Sequence, residues 1–285
     1  MYYGLILIAV IMFGGCFALN DIYRQMRGSS LKISLQFSFI SSIAGLASLL
    51  VINGFKLEFT PFTLIMAMLS ALNGLGFTFC AFRSLGSINL SLYSLFSMLG
   101  GMVLPFLQGI FFYKEAVTLA KGVCLALICA SLLLTLERSA KKGGTIYYMG
   151  IFVLNGMSGV ISKWFTSAPF AKTSAAGYSI LGALSTILLC GLLLPFFRKK
   201  ETSKTTFASV GISALGGITN RIANYFLVIA LAHVHASVQY PMVTGGVIIV
   251  STLICFFGPN KPSKKELLSV LLAFLGVLSL VLIPA

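Results

Sequence analysis

A chain of 285 residues that is 58% hydrophobic, only 9% charged and has a mean hydropathy of +1.00 lacks the polar groups to cover a soluble globule of its size. Its net charge of +14 is not that of a nucleic-acid binder: Lys and Arg fall in short clusters between apolar runs, with no aromatic-interleaved basic surface. The six cysteines lie inside apolar runs, and Cys124 and Cys129 have no His or Cys partners nearby, which argues against a disulfide framework or a zinc site.

Lipid cannot satisfy backbone polar groups, so a bilayer demands helices of roughly 17–25 apolar residues. On that rule the chain reads as an all-α membrane protein with about ten spans, at 2–22, 33–54, 62–82, 88–112, 117–137, 146–165, 173–197, 208–232, 235–257 and 267–284. The first run has no basic region ahead of it and reads as a span rather than a signal peptide. It ends on Asn20 and Asp21. A carboxylate there could take up a proton or pair with a cationic substrate; a solvated helix end beside Arg24, at i+3, accounts for it as well.

The third span carries Ser70, Asn73, Gly74 and Phe77 on one face. The fourth opens with Asn89 and Tyr93, and Glu115 follows it in a tight turn, where a helix-start carboxylate suits the macrodipole. Asn155 in the sixth span either lines a cavity or bonds a neighbouring helix. In the eighth span Gly217, Asn220, Arg221 and Asn224 share a face at i, i+3, i+4 and i+7. Arg221 stands near mid-span, where an arginine costs about 2.5–3.5 kcal/mol on insertion scales. It therefore faces a water-filled cavity, or it pairs or snorkels for packing alone. His233 and His235 fall in the next turn, and Gln239-Tyr240-Pro241 opens the ninth span. A proline there frees backbone groups that polar neighbours use to grip a ligand, or simply fits a first helical turn.

The halves echo one another. Ser70-Ala71-Leu72-Asn73-Gly74 recurs as Ser213-Ala214-Leu215-Gly216-Gly217. At a separation of 146, Gly4 matches Gly150, Leu85 matches Leu231, Ser91 matches Ser237, Gly100 matches Gly246 and Phe111 matches Phe257. Two five-helix units, 1–143 and 144–285, follow, and an odd number of crossings makes the second an inverted copy of the first.

Ser84-Leu85-Gly86-Ser87, Phe111-Phe112-Tyr113-Lys114-Glu115 and Thr118, together with Ala230-Leu231-Ala232 and Gly276, make the chain resemble the ten-helix, EamA-like branch of the drug/metabolite transporter superfamily. It departs from that pattern at Asn260, where the family has a second glutamate. It departs again in helices 4 and 9, where the proline expected at mid-helix is replaced near Gly100-Gly101 and Gly245-Gly246. The resemblance implies export of metabolites or drugs and both termini in the cytoplasm; the inverted halves imply alternating access. The charges say otherwise: most of the 20 Lys and Arg fall in the turns after odd-numbered spans, which puts both termini outside.

The expected function is a secondary transporter, an exporter or exchanger, of a small organic solute, multi-pass in the cell membrane. The residues expected to bind substrate are Asn73, Tyr93, Arg221, Asn224, Gln239, Tyr240, Asn20 and Asp21. Arg221 would meet an anionic group, and an ion gradient or solute exchange would supply the energy. No catalytic set, cofactor or metal is expected: GxxxxGK[ST], HExxH and GxSxG are all absent. A non-transporting membrane scaffold and a membrane-embedded enzyme remain the alternatives.

Overall fold

Hydroxyl residues stand just ahead of helices where orphan N–H groups need acceptors. Ser30 accepts from Ile33 N, Thr60 from Thr63 N ahead of Pro61, and Ser174 from Gly177 N. Ser263 and Glu266 close a reciprocal capping box. The computed structural model describes residues 2–113, 118–136, 145–197, 205–231, 236–257 and 261–283. Among the described residues there are ten α-helices and no strand. They are α1 (Tyr2–Arg27), α2 (Leu31–Ile52), α3 (Pro61–Leu85), α4 (Leu90–Tyr113), α5 (Leu119–Leu136), α6 (Thr145–Ser167), α7 (Ala175–Leu193), α8 (Phe207–Leu231), α9 (Ala236–Phe257) and α10 (Lys264–Leu282), with a 3-10 turn, Leu194–Phe196, after α7.

Among the described residues, α1, α2, α3 and α7 with its 3-10 turn are long and apolar enough to cross a membrane. Only 22–33% of the residues in their most apolar stretches are buried in the protein. The remaining apolar surface points outward, an arrangement water penalises and hydrocarbon accepts.

Helix α4 runs through the main core, burying Leu92, Tyr93, Leu95, Phe96, Leu99 and Val103. It packs on α6 and α9. Around it α1 packs on α8 and α9, α2 on α7 and α8, α3 on α6 and α7, and α5 on α10. Small residues permit the closest crossings. A Cβ on Gly100 would collide with the Phe152 backbone (α4–α6), and one on Gly217 with that of Ser41 (α8–α2). Helices α3 and α8, by contrast, share no extended interface among the described residues.

Several expected boundaries shift. Helix α1 continues beyond 22 to Arg27, because Asp21 is satisfied along the helix itself by Arg24 and Gln25. The helix stops at Gly28, whose φ of +100° suits a residue without Cβ. Helix α9 begins at Ala236, so Pro241 lies inside the helix rather than at its opening. Helix α4 does contain a proline, Pro105, beyond the Gly100-Gly101 pair.

Candidate functional site

Arg221 lies near the middle of the 25-residue α8, and its stem crosses α2 at a glycine. A Cβ on Gly45 would stand 2.7 Å from Arg221 Cγ and 3.1 Å from the Gly217 carbonyl oxygen. Any side chain at position 45 would therefore displace the arginine. Tyr178, in the first turn of α7, lies within electrostatic reach of the guanidinium, and its hydroxyl is buried without a hydrogen-bond partner. Among the described residues no carboxylate pairs with Arg221. On the same helix Asn224 Nδ2 donates to the Asn220 carbonyl at 2.8 Å and to its side-chain oxygen at 3.3 Å, and Asn224 is exposed. On α3, a Cβ on Gly74 would meet nothing within 4 Å. A half-buried cation, an unsatisfied phenol and two amides are thus what this stretch of α8 and the start of α7 offer. Chemically, that set can hold an anionic group and orient a polar one.

A second cluster joins α1 to α4. Tyr93 is fully buried, edge-on to Phe17 with ring centroids 4.9 Å apart. Its hydroxyl faces Asn20 but lacks a well-formed hydrogen bond. One turn further along α4 the Ser97 hydroxyl is also buried without a partner. The two candidates Asn20 and Tyr93 are therefore brought together.

Other candidates are occupied by packing. Asn73 Nδ2 donates to the Leu154 carbonyl and to Ser158 Oγ, both at 2.8 Å, and ties α3 to α6. Asn155 Nδ2 donates to the Ser97 carbonyl at 2.6 Å and ties α6 to α4. Asp21 forms an ion pair with Arg24 at 2.9 Å. The side chains of Gln239 and Tyr240, and all of Glu115, His233, His235 and Asn260, lie outside the described residues. Among the described residues, no three His, Cys, Asp or Glu side chains gather as a metal would require.

Sequence reasoning missed Tyr178 and Ser97. Ser97 is legible after the fact as the residue one helical turn from Tyr93; Tyr178 gains its meaning from Arg221, on another helix. It also missed Glu58, in the turn between α2 and α3. The Glu58 carboxylate accepts from Ser174 N at 2.6 Å and Ser174 Oγ at 2.8 Å, joining that turn to the start of α7. The backbone N–H of Ser174 first, then its hydroxyl, hold the Glu58 carboxyl below its ordinary pKa. Beside it Thr63 Oγ1 accepts from Thr173 N at 3.1 Å.

No family model and no curated protein matches the chain. It is similar to a solved structure described as "Crystal structure of protein", at 19% identity and a TM-score of 0.59, over 97% of this chain and 99% of the other. At that identity the likeness concerns the fold alone, and it extends over nearly the whole helical arrangement.

Proposed function

We propose that the chain is a secondary transporter that crosses the cell membrane ten times and moves a small organic solute by alternating access between two inverted halves, 1–143 and 144–285. The observation that carries this reading is Arg221, a mid-helix cation without a carboxylate partner among the described residues, beside an unsatisfied phenol. A scaffold has no use for so costly a group, whereas a solute carrying an anionic moiety would complete it. An embedded enzyme would need a convergent acid–base or metal set, which the sequence does not offer.

The packing supports the inverted repeat. Exchanging α1–α5 with α6–α10 turns the α4–α6 pair into α9–α1, α1–α8 into α6–α3, and α2–α8 into α7–α3. It leaves α5–α10, α2–α7 and α4–α9 unchanged, and each of these is a packed pair. The caps repeat as well. Thr63 N donates to Thr60 Oγ1 at 3.2 Å, and 146 residues later Ser209 N donates to Thr206 Oγ1 at 3.3 Å. The resemblance to EamA-like transporters points the same way.

In this reading Arg221 and Tyr178 receive the anionic group, Asn224 and Asn220 orient the rest, and Tyr93 with Asn20 lines the neighbouring wall. Glu58 of the first half and Ser174 of the second close one end of the passage. An ion gradient or exchange of solutes drives the cycle. The test is a thermal-shift screen of purified protein against organic acids, amino acids, nucleosides and cationic drugs, followed by uptake into proteoliposomes. Saturable uptake of a stabilising anionic or zwitterionic solute, lost in Arg221→Leu, is expected. Proteoliposomes that accumulate none of these solutes above protein-free vesicles would overturn the reading.

A further inference from the structure

At the end of the molecule that carries the Glu58–Ser174 contact, the start of α3 and the end of α6 border a groove of about 340 Å³ lined by Phe62, Met66, Trp164, Ser167, Ala168 and Phe170. Its floor is interior-like. Met66 is 5% exposed and packs with Ile161 and Phe165, with Phe62 and Tyr178 against them. Its rim continues the outward apolar surface. Ile65, Leu69 and Leu72 are exposed on α3, and Ile146, Met149 and Val153 lead along α6 to Trp164, itself half exposed. Trp164 stands near the last turn of α6, the depth at which tryptophan marks the border between hydrocarbon and headgroups.

Water is a poor occupant, because Ser167 is the one polar side chain among the six and an ordered water needs two to four polar partners. A hydrocarbon chain fits the lining and reaches it from the adjoining surface. A cation stands at the rim: Lys172 Nζ donates to the carbonyl of Ala168, a wall residue, at 3.2 Å. That ammonium is exposed and positioned for a phosphate lying above a chain inserted below.

We propose that the groove between α3 and α6 binds a membrane phospholipid, with one acyl chain against Phe62, Met66 and Trp164 and the phosphate at Lys172. The solute reading is not needed for it, although Tyr178, beside Arg221, also packs against the groove's floor.

The chain contains one tryptophan, Trp164, so its fluorescence reports on the groove without engineering. Detergent-purified protein is titrated with a phospholipid whose chains are brominated near the ester end. Saturable quenching, complete at a low mole fraction in the micelle and reversed by unbrominated phospholipid, is expected. Ala168→Phe fills the groove and should remove the saturable component. Lys172→Ala leaves the lining intact and should raise the half-saturating lipid fraction about five-fold. Quenching that grows in simple proportion to brominated lipid would show that Trp164 meets only the surrounding lipid, and would overturn the proposal. An unchanged half-saturation in Lys172→Ala would overturn it too, and that variant decides the matter even if Ala168→Phe does not fold.

Discussion

Arg24, Arg27 and Arg83 differ from Arg221 in one respect that matters: each has a partner near a helix end. Arg24 pairs with Asp21 at 2.9 Å, Arg27 donates to Gln36 Oε1 at 2.7 Å, and Arg83 lies over the rings of Phe79 and Tyr147 at 5.6 and 5.9 Å. All three sit in the last turns of α1 and α3. Arg221 sits midway along α8 with its stem on Gly45 and no carboxylate partner among the described residues. A group kept where it is expensive, and left without a protein counter-charge, is available to a ligand; a group satisfied by its neighbours holds the structure together.

The largest effect should come from Arg221 itself. Arg221→Leu removes a costly half-buried charge and lets an apolar side chain fill the crossing. Thermal stability should stay the same or rise, by the equivalent of about 1–4 kcal/mol, while transport is abolished. A fall in melting temperature with transport retained in the folded fraction would break the contrast with Arg24. Arg221→Lys keeps the charge but loses the planar fork, and should weaken solute affinity about ten- to hundred-fold, read as a rise in half-saturating concentration.

Next comes Gly45→Val. Its side chain would occupy the space of Arg221 Cγ and push against the Gly217 carbonyl. We expect transport to fall nearly as far as in Arg221→Lys, together with a lower melting temperature, since overpacking a helix crossing costs about 1–3 kcal/mol. Normal transport by Gly45→Val would mean that the arginine's position is not set by α2.

Asn73 sharpens the comparison from the other side. Asn73→Ala removes two hydrogen bonds to α6 and should lower stability by about 1 kcal/mol with solute affinity unchanged. A specific loss of affinity would move Asn73 from the packing class to the binding class.

Glu58 tests a contact that titrates. Its folded-state pKa is depressed, so its stabilising contribution is present above the ordinary carboxylate value and is lost as pH falls through the lowered one. Stability in acid should therefore decline more steeply for the wild type than for Glu58→Gln, in parallel melting series across that range. Superimposable profiles would show that the contact with Ser174 contributes nothing measurable.

The smallest effect belongs to Asp21→Asn, which breaks the pair with Arg24 at a partly exposed helix end. A change of about 0.5 kcal/mol or less and unaltered transport are expected. A large loss of uptake would instead place Asp21 among the functional carboxylates.

How far the molecule could be read from its residues follows the range of the forces involved. The apolar runs announce helices because a backbone in hydrocarbon must bond to itself, and the hydroxyls at Ser30, Thr60, Ser174 and Ser263 mark starts because capping acts within one turn. The misplaced end of α1 has the same local origin: Asp21 looks like a terminus in composition, yet Arg24 and Gln25 satisfy it along the helix. Arg221 was conspicuous for its energy alone, as a cation in an apolar run.

What the sequence by itself determined is the helical class, the approximate extents of the helices and the anomaly of Arg221, because each depends on neighbours within a few residues or on the solvent. Only the tertiary structure decided that Asn73 and Asn155 bind neighbouring backbones, that Tyr178 stands by Arg221, that Tyr93 meets Asn20, and that Glu58 reaches Ser174. Helical periodicity fixes which side chains share a face. Which helix that face meets depends on close approaches such as Gly100 against Phe152 and Gly217 against Ser41, between residues dozens to well over a hundred positions apart. The same amide that would grip a solute from one face serves as a strut from another, and nothing within one helical turn distinguishes the two.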